Sequence, residues 1–101
     1  MKSIELKTVK FIENGNEEDF SYKDMVYMIL QSPVDPAKGS GIEEIRKSIR
    51  VLDAIDNEEN GTLEIEDADF SYLLYRVRNA KFTSNNRAFI DFVDHFEGFD
   101  K

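Results

Sequence analysis

Residues 53–69 read DAIDNEENGTLEIEDAD, and the order of apolar and turn residues inside them sets the fold. Ile55 closes an apolar series that starts at Ile42. Asn60-Gly61 reverses the chain, Thr62-Leu63-Glu64-Ile65 alternates with period two, and Asp67 opens a further helical series. Helix, turn, short strand and helix in succession predict a mixed architecture. The same stretch holds Asp53, Asp56, Glu58, Glu59, Glu64, Glu66, Asp67 and Asp69, eight carboxylates with no Lys or Arg among them. The formal net charge is -8, from 21 Asp and Glu against 13 Lys and Arg, so this one segment accounts for the whole imbalance.

Upstream, Ile42, Ile45, Ile49, Leu52 and Ile55 recur at helical spacing and predict a helix over 41–56, started by a Ser40–Glu43 capping box. Glu43-Lys47 and Arg50-Asp53 fall at surface-pair spacings on its outer face. Downstream, Asp67 caps a helix over 67–81 whose core side is Phe70, Leu73, Leu74 and Val77. Thr83 or Ser84 opens another over 84–97, with Phe89, Phe92, Val93 and Phe96 at steps of three and four.

At the other end, residues 4–12 read as a strand. Ile4 and Leu6 share one parity and Val9 and Phe11 the other, so the apolar face switches near Lys7-Thr8, through a bulge or a crossing between packing surfaces. Asn14-Gly15-Asn16 marks a turn. A helix over 21–32 follows, with Ser21 as N-cap, Asp24 at N3, and Phe20 and Met25 as a hydrophobic staple. Met25, Val26, Ile29 and Leu30 form its buried stripe, and it stops before Pro33. The segment PVDPAKGSG, 33–41, is a loop. The expected fold is a single α+β domain over 1–101: a small two-stranded sheet, with 62–65 pairing to the N-terminal strand, packed with about four helices.

A hydrophobic fraction of 41% and eight Phe supply a core for a chain of 101 residues. There is no Cys, which excludes disulfides and thiolate metal sites and fits a reducing compartment. The start, MKSIELKTVKF, lacks the apolar run of a signal peptide, and the longest apolar run, Met25–Leu30, is too short for a bilayer. These readings place the chain in the cytoplasm, off the membrane. Strong net acidity argues against direct nucleic-acid binding, which needs a basic face.

With Asp56 as position 1 of a twelve-residue calcium loop, Glu58, Asn60, Thr62, Glu64 and Asp67 fall at ligand positions and Gly61 at the turn, which resembles an EF-hand. Three features weigh against it. Asp67 is one methylene short of the usual bidentate Glu, and Glu58 is bulky for position 3. An exit helix in EF-hand phase would bury Ala68, Ser71, Tyr72 and Tyr75, whereas the apolar set is Phe70, Leu73, Leu74 and Val77. The competing reading is a solvated acidic turn, with Asp67 and Asp69 favourable at a helix N-terminus.

No catalytic constellation appears. His95 is the lone histidine, the glycines form no phosphate-binding motif, and no cofactor or enzymatic activity is expected. Arg46, Lys47 and Arg50 cluster on one helix and Arg76, Arg78 and Lys81 on another; Arg76 and Lys81 suit a helix C-terminus, and the others neutralise nearby acids. Tyr22, Tyr27, Tyr72, Tyr75 and Phe99 do not all fit the inferred core stripes, and such aromatics either widen the core or face a partner.

The blocks IRKSIRVLDAIDNEENGTLEIEDADFSYLLYRV and KFTSNNRAFIDFVDHF resemble a pattern in small uncharacterised proteins of tailed bacteriophages and prophages. There a helix ending in VLDAI, here Val51–Ile55, enters an acidic turn. An acidic–aromatic step, here Leu63–Phe70, opens the next helix, and an aromatic, Phe82, precedes a final helix, Phe89–Phe96. The resemblance covers about half the chain and implies a non-enzymatic accessory role near virion assembly, while transferring no binding residues. The expected function is protein–protein interaction, with a phage structural protein or a second copy, through Asp56, Glu58, Glu59, Glu64, Glu66, Tyr72 and Tyr75. Two alternatives stand beside it: an inhibitor of a host nucleic-acid enzyme acting through the acidic face, and a single EF-hand-like calcium module.

Overall fold

A computed structural model describes residues 1–33, 35, 37–82 and 85–100. The chain runs β1 (Lys2–Glu5), β2 (Thr8–Glu13), β3 (Asn16–Ser21), α1 (Tyr22–Gln31), α2 (Ile42–Asp56), β4 (Thr62–Ile65), α3 (Asp67–Arg78) and α4 (Arg87–Glu97). This is an α+β fold of four helices with two separate two-stranded antiparallel sheets, β1–β4 and β2–β3.

The break expected at Lys7-Thr8 divides two strands that belong to different sheets. Ile4 stands opposite Leu63 and Lys2 opposite Ile65, so 62–65 pairs with the N-terminal strand as expected. Ile4, Leu63 and Ile65 are all buried on the core face. Past the break, β2 turns at Asn14 and Gly15, both with positive φ, and pairs with β3 from Glu13↔Asn16 to Thr8↔Ser21. β3, NEEDFS, is a strand the sequence reading did not contain. Four of its six residues are exposed polar groups, so it shows no alternation of its own.

Ser21 ends β3 and caps α1, its Oγ accepting from the Asp24 N–H at 3.2 Å, while Phe20 is buried and Met25 packs at the core edge. The other starts differ from expectation. Gly41 and not Ser40 is the N-cap of α2, and Glu66 and not Asp67 that of α3, neither with a side-chain cap. Asn86 caps α4, accepting from the Ala88 N–H at 2.9 Å; the expected openings at Thr83 or Ser84 lie outside the described residues, as do Val34 and Pro36 of the 33–41 loop.

The core joins all four helices to both sheets. Val26, Ile29 and Leu30 of α1, Phe70, Leu73, Leu74 and Val77 of α3, and Phe92 and Phe96 of α4 are buried as the stripes predict. Phe20, Tyr22, Phe92 and Phe96 meet with ring centroids 5.1–6.3 Å apart, mostly edge-on. In α2 the stripe is displaced. Ser48, Val51, Leu52 and Ile55 face inward, while Ile42, Ile45 and Ile49 are 62%, 44% and 48% exposed. Among the described residues no helix is long and apolar enough to cross a membrane.

Candidate interaction surface

The acidic segment is built as a tight reversal between α2 and β4. Glu59 and Thr62 exchange backbone hydrogen bonds, N–H to O at 3.3 and 2.9 Å, and the two residues between them, Asn60 and Gly61, have φ of 55° and 77°. Two successive left-handed residues make a two-residue turn tight enough for Glu59 and Thr62 to pair as an isolated bridge. Glu58 braces the turn from inside. Its Oε2 accepts from the Gly61 N–H at 2.9 Å and its Oε1 from Lys23 Nζ at 3.1 Å. The Lys23 hydrogen bond first, and then that from Gly61, hold the Glu58 carboxyl below the ordinary range.

Those bonds occupy atoms a calcium loop would use. The Thr62 carbonyl points to Glu59 N–H, and both Glu58 oxygens are engaged. Asp67 sits 3.4 Å from the terminal ammonium of Met1. Among the described residues no group of three or more acids or His is arranged to hold a metal ion. The remaining carboxylates point outward: Asp53, Asp56, Glu59, Glu64 and Glu66 are exposed and form no ion pair among the described residues, while Asp69 takes Arg50 at 3.1 Å.

The two tyrosines expected on this surface part company. Tyr75 is exposed, but Tyr72 is buried, which removes it from the partner-facing set. Its hydroxyl lies 2.9 Å from Ser48 Oγ, donates to the Glu44 carbonyl at 3.3 Å and accepts from Arg76 Nη1 at 2.9 Å. Arg76, read in sequence as serving its own helix end, is buried and caps a different one. Its Nη2 donates to the Ile29 and Ser32 carbonyls, each at 2.7 Å, at the C-terminus of α1, whose last turn carries no basic residue. The signal available in the sequence was the i, i+4 spacing of Tyr72 and Arg76.

This network explains the rotation of α2. Ser48, small and hydrogen-bonded, occupies the inward position that an isoleucine would overfill, so the isoleucines turn outward. At 3.6 residues per turn Asp56 continues the line of Ile42, Ile45 and Ile49, so an apolar strip runs into the carboxylates at the helix end. Arg46 and Arg50 flank the strip, held by Glu43 at 3.4 Å and by Asp69. His95 is half-buried, its Nε2 2.7 Å from the Glu5 carbonyl, and the described residues contain no nucleophile–base pair around it. Comparison with protein-family models, with curated proteins and with solved structures finds no match.

Proposed function

We propose that this chain is a non-enzymatic accessory protein of a tailed phage or prophage, acting by binding another protein during virion assembly. The phage origin rests on the resemblance of Val51–Ile55 and Leu63–Phe70. The observation that carries the binding role is the exposed line of Ile42, Ile45 and Ile49 on α2, ending at Asp56. Each isoleucine is about half exposed and so forgoes half of the ~1.5–3 kcal/mol that full burial would contribute. A neighbouring strip of the same helix is fully buried, so the outward face is a surface with a use. The unpaired carboxylates Asp53, Asp56, Glu59, Glu64 and Glu66 with Tyr75 supply a polar rim and charge-based choice of partner.

The test is capture from phage-infected host lysate with the wild-type chain and with Ile45→Glu/Ile49→Glu. A phage protein retained by the wild type and lost by the variant, at unchanged melting temperature, supports the role. Equal capture by both removes it. A second reading, inhibition of a host nucleic-acid enzyme, is favoured only by the unpaired carboxylates. It requires a captured host protein released by salt, since screening weakens contacts between exposed charges.

A further inference from the structure

A cleft of about 550 Å³ opens between α1, the C-terminal end of α3 and the first turn of α4. That is the size of a site for a small organic ligand. Its walls are apolar: Met25 and Met28 come from α1, while Phe82 and Phe89 stack with ring centroids 4.4 Å apart. Thioether side chains adapt to apolar bodies of different shape. Met28 is 56% exposed, so the methionine wall is open in the free protein.

The charge of the lining has one sign. Arg76 and Lys81 are its charged side chains, and no Asp or Glu lines it among the described residues. In a chain of net charge -8 that reverses the surface average. Lys81 is exposed and makes no ion pair among the described residues. Ser32 Oγ and Asn79 Nδ2 donate to the Met28 and Tyr75 carbonyls, at 2.9 and 2.8 Å, so the cations set what enters.

Arg76 is the deeper of the two. Its Nη hydrogens go to Ser48 Oγ, the Tyr72 hydroxyl and the Ile29 and Ser32 carbonyls. None of these acceptors carries a full charge, and the end of α1 supplies about half of one. The Nε–H takes no acceptor among the described residues. It is not sealed off either, because the only buried side-chain N or O atom without a partner among them is Glu44 Oε2. A guanidinium that is 6% exposed, lacks a counter-charge and keeps one N–H unspent suits an anionic oxygen.

We infer that this cleft binds a small amphiphilic carboxylate. Its apolar body lies between the methionines and the Phe82–Phe89 pair, its headgroup accepts from Arg76 Nε–H, and Lys81 stands at the mouth. A protein segment would bring amide groups for which these walls offer few partners, and burying them unpaired is costly. The site uses none of the isoleucines of α2, so either can fail without the other.

The experiment is NMR on protein labelled at its methionine methyls and with ¹⁵N. It is titrated with sodium octanoate, octan-1-ol or octylammonium chloride, each below the concentration at which it self-associates. Octanoate is expected to shift the Met25 and Met28 methyls saturably and to leave Met1, which is 71% exposed beside Asp67. The Arg76 Nε–H proton moves downfield in step. Octanol, lacking the charge-assisted contact, binds about tenfold more weakly, and octylammonium does not bind. Lys81→Gln weakens octanoate by up to about fivefold, the scale of an exposed ion pair. Met28→Glu, at an exposed position, places a carboxylate in the cleft and abolishes the Met25 shift. No saturable Met25 and Met28 shift with octanoate overturns the proposal. So does equal affinity for octanol, a methyl shift that leaves Arg76 Nε–H unmoved, or a Met1 shift that follows the others.

Discussion

The guanidinium of Arg76, on α3, lies 2.7 Å from the Ile29 carbonyl at the end of α1, and its other nitrogen contacts Ser48 of α2 at 3.0 Å. One side chain thus ties three helices through four acceptors. The buried charge has no carboxylate partner within ion-pair distance among the described residues and is balanced by oxygens at a helix C-terminus. Arg76→Met keeps the packing volume but orphans those acceptors. Urea unfolding is expected to show a loss of about 3 kcal/mol, against about 1 kcal/mol for Tyr72→Phe. A loss below about 0.5 kcal/mol for Arg76→Met would show that the acceptors find other partners.

The two faces of α2 make opposite predictions. Ile55→Ala, at a fully buried position, should cost about 2–5 kcal/mol. Ile45→Gln and Ile49→Gln should each stay within about 0.5 kcal/mol of wild type. Comparable losses on both faces, read from denaturation midpoints, would mean the isoleucines are covered in solution.

Gly61 tests the reversal without touching its packing. A Cβ there would meet only the Leu6 carbonyl, at 3.8 Å, but φ is +77°. Gly61→Ala should therefore destabilise by about 1–2 kcal/mol through backbone conformation alone. Asn60→Gly, at φ 55°, should be close to neutral. Paired thermal melts of the two variants decide this.

Glu58 predicts a pH dependence. Its carboxyl titrates lower in the folded chain than in the unfolded one, so folding favours the charged form. That contribution is complete above the ordinary glutamate value of about 4.3 and disappears as pH falls through the lower folded value. Glu58→Gln should flatten stability against pH below about 4.3. A slope for Glu58→Gln identical to that of the wild type would exclude the brace formed with Lys23 and Gly61.

Local chemistry was legible where one residue decides one contact. Ser21 caps, Asn14-Gly15 turns, and the parity switch at Lys7-Thr8 marks the point where one sheet ends and the next begins. β3 was not legible because Glu17, Glu18 and Asp19 lie on water, and the strand exists through β2 opposite it. Helical spacing in α2 fits either of two adjacent faces. Which of them turns inward depends on Ser48 meeting Tyr72 and Arg76, residues 24 and 28 positions away. Of the candidate surface, the exposed acids and Tyr75 were readable from composition and phase. Burial of Tyr72 was not, since a long-range hydroxyl network leaves no periodic trace.

The pairing of Ile4 with Leu63 has a temporal consequence. A chain emerging from the ribosome cannot close that sheet until Ile65 has been added, whereas the hairpin and the helix after it are complete by Gln31. The opening strand therefore waits unpaired during synthesis, with Ile4, its one apolar residue, uncovered until β4 arrives.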